Sequence, residues 1–519
     1  MSDFNYERIN FKEDGTYYGA NEFNRMDKAI YNLYHGASSS SGSKFIKKQT
    51  ENLGNAMKKL RMGSDDVEVC FFGDSVFYAM SYKTAPEDIW VYEDCVPDIN
   101  TNTEVGSTFN CAYSVKYNTN PVRNKVTIYD AFRDMANRVF NNKIQIKKKI
   151  FCGHTAKWAY EDYYASESDF CIINFGINDA MGAHVIGRFD KDNNETYRGD
   201  VTQYITYMRL LIEREIEGGT AVILLGPVKQ LLQQSESGDT TEKTMIDVYE
   251  QVCEQLAMEY GVPFINGNDM TKNFGMDLCT DFTHFSAEGN RSIGCRLVAP
   301  FVGQSPLKPL VVNSNSYLGV HPQLDNVNIS GSAEFAYTDI SPNPSVAMSS
   351  GNLVYPLVGV DKGIQVSAEA GGKVVWSFYC EEEGMVVVPS LYTESEGVGA
   401  TMKLDFGVTQ PQWSNYWYFN ANRGDKEPST IEINNSDLKA KGSGKNYDAS
   451  VISSTDPVLR ITSKGWHTIE ITPLFEETAI TTYDDETAMS VIVDPVGSGS
   501  LAVFGLRFLS YVDYKKMIG

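Results

Sequence analysis

Three short blocks of this 519-residue sequence contain side chains that could act together on an ester. Phe72–Ser75 (FGDS) ends in a serine, Phe175–Asp179 (FGIND) contains an asparagine, and Asp281–His284 (DFTH) combines a carboxylate with an imidazole. Ester cleavage needs a nucleophile, a base that takes its proton, and hydrogen-bond donors for the developing oxyanion. Because the three blocks supply these groups, they predict serine-dependent ester hydrolysis.

The type of each side chain limits the role that it can have. The imidazole of His284 can accept the proton of Ser75, a weak nucleophile at neutral pH, and later pass it to the leaving alcohol. The carboxylate of Asp281 can hold that imidazole in the required tautomer. Asp74 and Asp179 are predicted to brace their turns rather than to react. This chemistry needs no metal ion and no organic cofactor, so none is predicted.

The first two blocks directly follow predicted strands, and the third precedes the last predicted helix of an alternating strand–helix pattern. Such a pattern predicts a parallel sheet covered on both faces, with the site beyond the carboxyl ends of its strands. The predicted strands are Val67–Phe72, Lys149–Cys152, Asp169–Phe175, Ala221–Leu225 and Val262–Asn266. The predicted helices include Phe45–Met62, Val201–Glu217, Thr241–Tyr260 and Ser286–Val302.

In order and in position, the blocks resemble those of the SGNH hydrolases, also called GDSL esterases. That family has GDS near the start, a glycine after the second strand, GxND after the third and DxxH near the end. The best match for the glycine is Gly153, and the resemblance covers about residues 65–303. It implies a three-layer, flavodoxin-like α/β fold. It also implies a catalytic triad of Ser75, Asp281 and His284, with oxyanion donors from the backbone of Ser75 and Gly153 and the side chain of Asn178.

The rest of the chain predicts two further segments around a hydrolase domain at 44–303. Residues 1–43 are predicted to be an N-terminal anchor that ends in the serine-rich linker Ser38–Ser43. Over 304–519, short alternating strands between turn residues predict an antiparallel β-sandwich of jelly-roll type. The irregular stretch 84–128 is predicted to be an excursion that shapes the substrate cleft. Predicted sandwich strands include Lys373–Cys380, Met385–Val388, Thr401–Val408, His467–Thr472 and Leu501–Leu509.

Composition excludes several classes of partner. The formal net charge of −22 repels phosphate backbones and anionic lipids, so neither nucleic acid nor a membrane is an expected partner. The N-terminal sequence lacks the features of a secretory signal, and no apolar run has the ~20 residues of a membrane helix. Nine scattered cysteines predict buried free thiols in a reducing compartment.

The segment Gly15–Met26 (GTYYGANEFNRM) resembles the opening of many phage tail-fibre and tail-spike proteins. There the segment docks the fibre to the virion, which implies that residues 1–43 contact phage tail or baseplate proteins. The resemblance also implies synthesis in the host cytoplasm and a place in the phage tail. Tail fibres are commonly homotrimers, although no long heptad array in this sequence requires one.

Together these features predict a phage tail-associated esterase that removes O-acetyl or similar short acyl groups from a bacterial surface polysaccharide. A bacterial esterase for acetylated xylan is one alternative, although it would normally carry an export signal. A glycan-binding tail fibre without catalysis is the other. The C-terminal sandwich could bind carbohydrate through a sugar-stacking platform, for which core packing is the competing interpretation. The aromatic residues concerned are Trp413, Tyr416, Trp417 and Tyr418.

Overall fold

The structure, a computed structural model, describes most of the predicted elements. It covers residues 40–63, 65–81, 89–91, 108–110, 122–124, 126–141, 143–151, 153–180, 201–228, 241–272, 274, 278–279, 284–303, 310–314, 316–319, 327–330, 333–337, 362–367, 372–392, 398–408, 429–433, 446–447, 458–483, 489–496 and 500–518. Most of the predicted anchor and the proposed aromatic platform lie outside these residues.

The chain divides into two compact units, residues 1–297 and 298–519. The predicted boundary at 303/304 lies close to this division, which falls inside the helix Ala287–Val302. The apolar pattern of this helix continues to position 302 and does not indicate that its last residues belong to the second unit. For this reason the sequence predicted the boundary at the end of the helix.

Strands and helices alternate in the first unit, as the apolar pattern predicts. Its strands are β1 (Val67–Gly73), β2 (Met80–Ser81), β3 (Ile89–Val91), β4 (Thr108–Asn110), β5 (Val122–Asn124), β6 (Ile144–Phe151), β7 (Phe170–Asn174), β8 (Ala221–Leu225) and β9 (Phe264–Ile265). Its helices are α1 (Ser40–Met62), α2 (Ser75–Tyr78), α3 (Ile128–Phe140), α4 (Ala156–Asp162), α5 (Ile177–Ala180), α6 (Val201–Glu217), α7 (Thr241–Tyr260), α8 (Gly267–Thr271) and α9 (Ala287–Val302).

The main sheet of this unit has six parallel strands in the order β4-β6-β1-β7-β8-β9. Without β4, this is the flavodoxin-like order 2-1-3-4-5, in which the chain reverses direction across the sheet between β1 and β7. Ligands of such sheets bind at that switch point, beyond the carboxyl ends of the strands. The fold is therefore the predicted SGNH-like α/β architecture.

Helices cover both faces of this sheet. Phe71 of β1 packs on Phe132 of α3, with ring centroids 5.3 Å apart. Cys70 lies on the opposite face of the sheet, because successive residues of a strand point to alternate faces. Cys171, the residue of β7 that pairs with Cys70 in the sheet, lies near Glu215 of α6 on that face. The sheet is thus the middle of three layers.

One helix and one strand of the first unit begin earlier than predicted. Helix α1 begins at Ser40, so the last residues of the predicted serine-rich linker are helical. Strand β6 begins at Ile144 instead of at residue 149. The three consecutive lysines from Lys147 to Lys149 interrupt the apolar pattern, so the sequence did not indicate the first part of the strand. Lys148 and Lys149 are both buried there, with long apolar stems that pack like those of hydrophobic side chains.

The stretch predicted to be an irregular excursion also contributes strands. Within it, β4 adds a sixth strand to the main sheet beside β6. The strands β2, β5 and β3 form a small antiparallel sheet of their own. Strands of two or three residues are too short for period-two alternation to reveal them in a sequence.

The second unit is rich in β structure, as predicted. Its helix α10 (Tyr511–Ile518) follows the last strand, where no helix was predicted. Its strands are β10 (Val311–Val312), β11 (Tyr317–Gly319), β12 (Val327–Ser330), β13 (Ala333–Tyr337), β14 (Lys362–Ser367), β15 (Lys373–Cys380), β16 (Met385–Tyr392), β17 (Val398–Leu404), β18 (Thr430–Ile433), β19 (Asn446–Tyr447), β20 (Leu459–Ile461), β21 (Gly465–Tyr483), β22 (Met489–Val496) and β23 (Ser500–Ser510).

These strands form two seven-stranded sheets that share one hydrophobic core. One sheet runs β10-β15-β21-β17-β18, with β12 and β22 beside it, and the other runs β13-β14-β23-β16-β19, with β11 and β20 beside it. Among the described strands of this unit, the pairings are antiparallel except that of β10 with β15. Trp376 from the first sheet and Phe508 from the second both belong to the core. The unit is thus a β-sandwich, and its jelly-roll topology stays a prediction.

Trp466 of β21 lies on the face of its sheet that points away from the core. It alternates along the strand with Ile469 and Ile471, which belong to the core. It is nevertheless only 5% exposed, and its ring meets that of Tyr379 edge to face. Alternation along a strand gives the face of a residue but not what covers that face.

Helices that could cross a membrane are not found among the described residues: none combines the necessary length with sufficient apolar character.

Candidate active site

Ser75 lies where β1 ends and α2 begins. The side chain of Asp74 caps this helix by accepting a hydrogen bond from the Val76 amide at 3.0 Å. The turn is tight, because a Cβ atom on Gly73 would lie 2.8 Å from the carbonyl oxygen of Asn174 and 2.6 Å from the Phe77 ring. Only glycine allows the two strand ends to approach so closely, and this places the serine at the switch point.

His284 is brought to the same place by the segment that precedes α9. Cys279 and Phe285 form an isolated antiparallel bridge, and the amide of Ser286 donates to the carbonyl of Leu278 at 3.0 Å. As a result, the Nε2 atom of His284 lies 2.9 Å from the Oγ atom of Ser75, although 209 residues separate them in sequence. Both residues are 6% exposed, so the structure brings together the predicted nucleophile and its base in a mostly buried site.

Asn178 lies in α5, the short helix after β7. Its Nδ2 group donates to the Oδ2 atom of Asp74 at 2.9 Å, which joins the turn after β7 to the turn that carries Ser75. Asn178 is 4% exposed and Asp74 is 1% exposed. The predicted oxyanion donor is therefore adjacent to the nucleophile's turn and is tied to it.

Gly153 lies in the turn after β6 and has a φ of 76°, in the left-handed region that favours glycine. Helix α4 starts just beyond it, at Ala156, whose amide donates to both carboxylate oxygens of Asp179 at 3.2 and 3.3 Å. The Thr155 side chain caps the same helix. Asp179 thus ties the turn of Gly153 to the turn of Asn178, and both predicted bracing aspartates do form such bonds.

His154 directly follows Gly153 and is only 6% exposed. Its ring meets Trp158 of α4 edge to face, with the centroids 5.6 Å apart. His154 is therefore not an exposed surface residue.

Asp281, the third predicted member of the triad, lies outside the described residues. Among those that are described, no cluster of His, Cys, Asp and Glu could hold a metal ion. The six cysteines in the described part of the chain, Cys70 and Cys171 among them, are buried and form no disulfide bond.

Tyr204 of α6 supports the site but was missed by sequence reasoning. Its hydroxyl donates to the carbonyl of Phe175 at 3.0 Å, and burial raises the pKa of this phenol well above its usual value. The phenol therefore stays a neutral donor that holds the strand end before Gly176. At that glycine φ is 128°, and a Cβ atom would lie 2.7 Å from Pro227. A tyrosine on a predicted helix carries no sequence signal for such a contact.

Similar solved structures are of two kinds. The tail fibre protein gp63.1 from an E. coli phage matches at 11% identity and a TM-score of 0.43, over 89% of this chain and 49% of that protein. A lipase/acylhydrolase from Enterococcus faecalis matches at 16% identity and a TM-score of 0.29, over 45% of this chain and 93% of that protein. Axe2, an acetylxylan esterase from Geobacillus stearothermophilus, matches at 19% identity and a TM-score of 0.31, over 46% of this chain and 94% of that enzyme.

This chain thus spans about half of the length of the phage tail fibre protein. No protein-family model and no curated protein sequence matches the chain. The solved structures are of the same two kinds as the proteins that the sequence resembles, and the assignment of the fold rests on the strand order described above.

Proposed function

We propose that the first unit is a serine ester hydrolase in which Ser75 is the nucleophile and His284 the general base. The contact of 2.9 Å between Ser75 Oγ and His284 Nε2 is the single observation that supports this most strongly. A nucleophile and base within hydrogen-bond reach, with donors on adjacent turns, are the arrangement that acyl transfer requires.

In this proposal His284 takes the hydroxyl proton while Ser75 Oγ bonds to the acyl carbon. The backbone N–H groups of Ser75 and Gly153 and the amide of Asn178 stabilise the oxyanion that forms. His284 then gives its proton to the leaving alcohol as the ester C–O bond breaks, which leaves an acyl-enzyme. Water attacks this ester with His284 again as base, and the acid and free Ser75 are released. Asp281 is proposed to hold the imidazole with its proton on Nδ1.

For the substrate, we propose O-acetyl or similar short acyl esters of a bacterial surface polysaccharide, with the protein in a phage tail. The contact between Ser75 and His284 supports ester hydrolysis. The polysaccharide, the tail location and docking through residues 1–43 follow from the sequence resemblances and the enzyme-plus-sandwich order of the chain. Carbohydrate binding by the sandwich and a trimeric assembly belong to the same proposal.

Hydrolysis of p-nitrophenyl acetate by the full chain and by Ser75→Ala tests the chemistry. The wild type should turn over, and Ser75→Ala should lose about 10⁶-fold in kcat. Ser510→Ala is a matched control, because this serine is only the cap of α10 in the other unit. A fluorophosphonate probe should add its mass to the wild type and to the control but not to Ser75→Ala.

Acetate release from a panel of acetylated bacterial glycans, with acetylated xylan included, tests the substrate. Release from surface polysaccharides, with little from xylan, is the expected result. Preference for xylan would instead favour the alternative of a bacterial esterase for acetylated xylan. A wild type that binds glycans but neither hydrolyses p-nitrophenyl acetate nor reacts with the fluorophosphonate would be a binding fibre, which contradicts the proposal.

A further inference from the structure

The strongest unassigned contact of the site is the hydrogen bond between Asp74 and Asn178. Asp74 uses both of its carboxylate oxygens: Oδ1 accepts from the Val76 amide and Oδ2 accepts from Asn178 Nδ2. Both residues are almost completely buried. Capping explains only the first of these bonds, so the second needs a reason of its own.

A carboxamide has one end that donates and one that accepts, and the two have nearly the same shape. In the proposed oxyanion hole only the nitrogen end of Asn178 is useful, because its oxygen would repel the developing negative charge. An ionised carboxylate accepts hydrogen bonds and cannot donate them. Beside Asp74, the carboxamide of Asn178 is therefore favoured in the orientation that turns its nitrogen toward this carboxylate.

We propose that Asp74 is a positioning residue that selects the donating orientation of the Asn178 carboxamide beside Ser75. An amide nitrogen carries two N–H bonds, so Nδ2 can donate one to Asp74 and direct the other at the oxyanion. In this role Asp74 acts through Asn178 and not on the substrate, and its cap on α2 is a separate, structural contribution. This role rests on the proposed ester hydrolysis. It explains why the nitrogen of the Asn178 carboxamide, and not its oxygen, would face the oxyanion.

Asp74→Asn is the discriminating variant. Its carbonyl oxygen can still cap α2 through Val76, so folding is preserved. The introduced NH₂ group then faces Asn178, which must turn its own oxygen toward it to avoid opposing two donors. The oxyanion loses a donor and meets an acceptor. We expect kcat for p-nitrophenyl acetate to fall about 100- to 1,000-fold, as for loss of an oxyanion donor, while KM and Tm stay near their wild-type values.

A double-mutant cycle tests whether Asp74 acts through Asn178. Asn178→Ala alone should cost about 100- to 1,000-fold in kcat. If Asp74 works only by orienting that amide, adding Asp74→Asn should cost no more than about threefold further. Losses that multiply, or an unchanged kcat in Asp74→Asn, would overturn the inference.

Asn266→Ala is the control for a purely structural effect at a helix N-cap. Asn266 caps α8 through the amide of Asp269, in the same unit. This variant should lower Tm and leave kcat unchanged, whereas Asp74→Asn should show the opposite pattern. A loss of kcat that follows Tm in both variants would mean that the role of Asp74 is merely structural.

A second readout does not use activity. With ¹⁵N-asparagine labelling, the side-chain amide protons of Asn178, identified by their loss in Asn178→Ala, should exchange slowly with solvent in the wild type and rapidly in Asp74→Asn. Equal exchange in both proteins contradicts the inference. The absence of Ser75-dependent hydrolysis in the wild type would overturn the proposed function instead, so the two failures are distinguishable.

Discussion

The side chain of Gln49 binds both backbone groups of Val222, as a residue on a neighbouring strand would. Its Nε2 atom donates to the Val222 carbonyl at 2.7 Å, and its Oε1 atom accepts from the Val222 amide at 3.0 Å. Strand β9 pairs with β8 only from Leu224 onward, so the helix α1 completes the ladder at this point. Gln49 is completely buried, which makes α1 an integral part of the α/β unit.

Gln49→Leu should therefore destabilise the first unit strongly. The apolar side chain would leave the buried N–H and C=O of Val222 without partners, at a cost of roughly 1–3 kcal/mol for each group. Urea denaturation of the full chain should show the loss. Lys47→Ala, on the exposed side of the same helix, should change stability by less than about 0.5 kcal/mol. Equal effects of the two substitutions would contradict this role of Gln49.

Gly73→Ala should impair both stability and catalysis. The added methyl group would approach the Asn174 carbonyl, a backbone atom of the adjacent strand that cannot simply rotate away. Such overpacking costs about 1–3 kcal/mol and would shift Ser75 relative to His284. Comparison with Gly54→Ala, where a Cβ atom meets nothing within 4 Å, isolates the steric effect. If Gly73→Ala kept wild-type kcat and Tm, the turn would be looser than described.

Glu250 of α7 should make stability depend on pH. Burial raises its pKa from 4.5 to about 8, an effect that the nearby Asp269 strengthens and a hydrogen bond from the Asn268 amide opposes. In the folded chain Glu250 is therefore protonated between those values, whereas in the unfolded chain it is ionised. Its contribution is fully present below the unfolded pKa and is lost as pH rises through the folded one.

Glu250→Gln removes this dependence and keeps an acceptor for the Asn268 amide. Relative to the wild type, the variant should gain up to ~1.4 kcal/mol of stability for each pH unit between the two pKa values. Tm should be alike for both proteins at about pH 4 and higher for the variant at about pH 9. If the wild type and the variant had the same Tm at about pH 9 as well as at about pH 4, Glu250 would not be buried as described.

The β-sandwich contains a buried Asp405–His467 pair whose loss should be costly. His467 Nδ1 lies 2.8 Å from Asp405 Oδ2, and His467 Nε2 lies 2.9 Å from the carbonyl oxygen of Ser463, to which it must donate. Asp405 also accepts from the Thr468 amide at 3.0 Å. Both partners of the pair are 0% exposed, so neither has water as an alternative.

Asp405→Ala should therefore destabilise the second unit by about 3–5 kcal/mol, the usual cost of removing one partner of a buried pair. Urea denaturation of the full chain should show this loss as a lower midpoint for the second unit. Asp513→Ala removes an exposed carboxylate from α10 and serves as the control, with an expected change near zero. A similar midpoint for both variants would argue against the buried pair.

Much of the architecture follows from the sequence alone. Helices α6 and α7 and strands β8 and β15 have the predicted bounds, because local periodicity and apolar runs determine them. The order of the three blocks likewise indicates Ser75, Asn178 and His284 as the residues of the site. These are local properties, which a chain expresses wherever its segments lie.

Only the tertiary structure decided which of these residues meet. Ser75 and His284 are 209 positions apart in sequence, and their contact forms only when strand β1 and the segment before α9 are both in place. The paired contacts of Asp74 with Asn178 and of Gln49 with Val222 likewise arise between distant segments. A side chain's type limits what it can bond, but its partner is set by packing, because a contact between distant segments forms only when the elements that carry both residues are fixed in space.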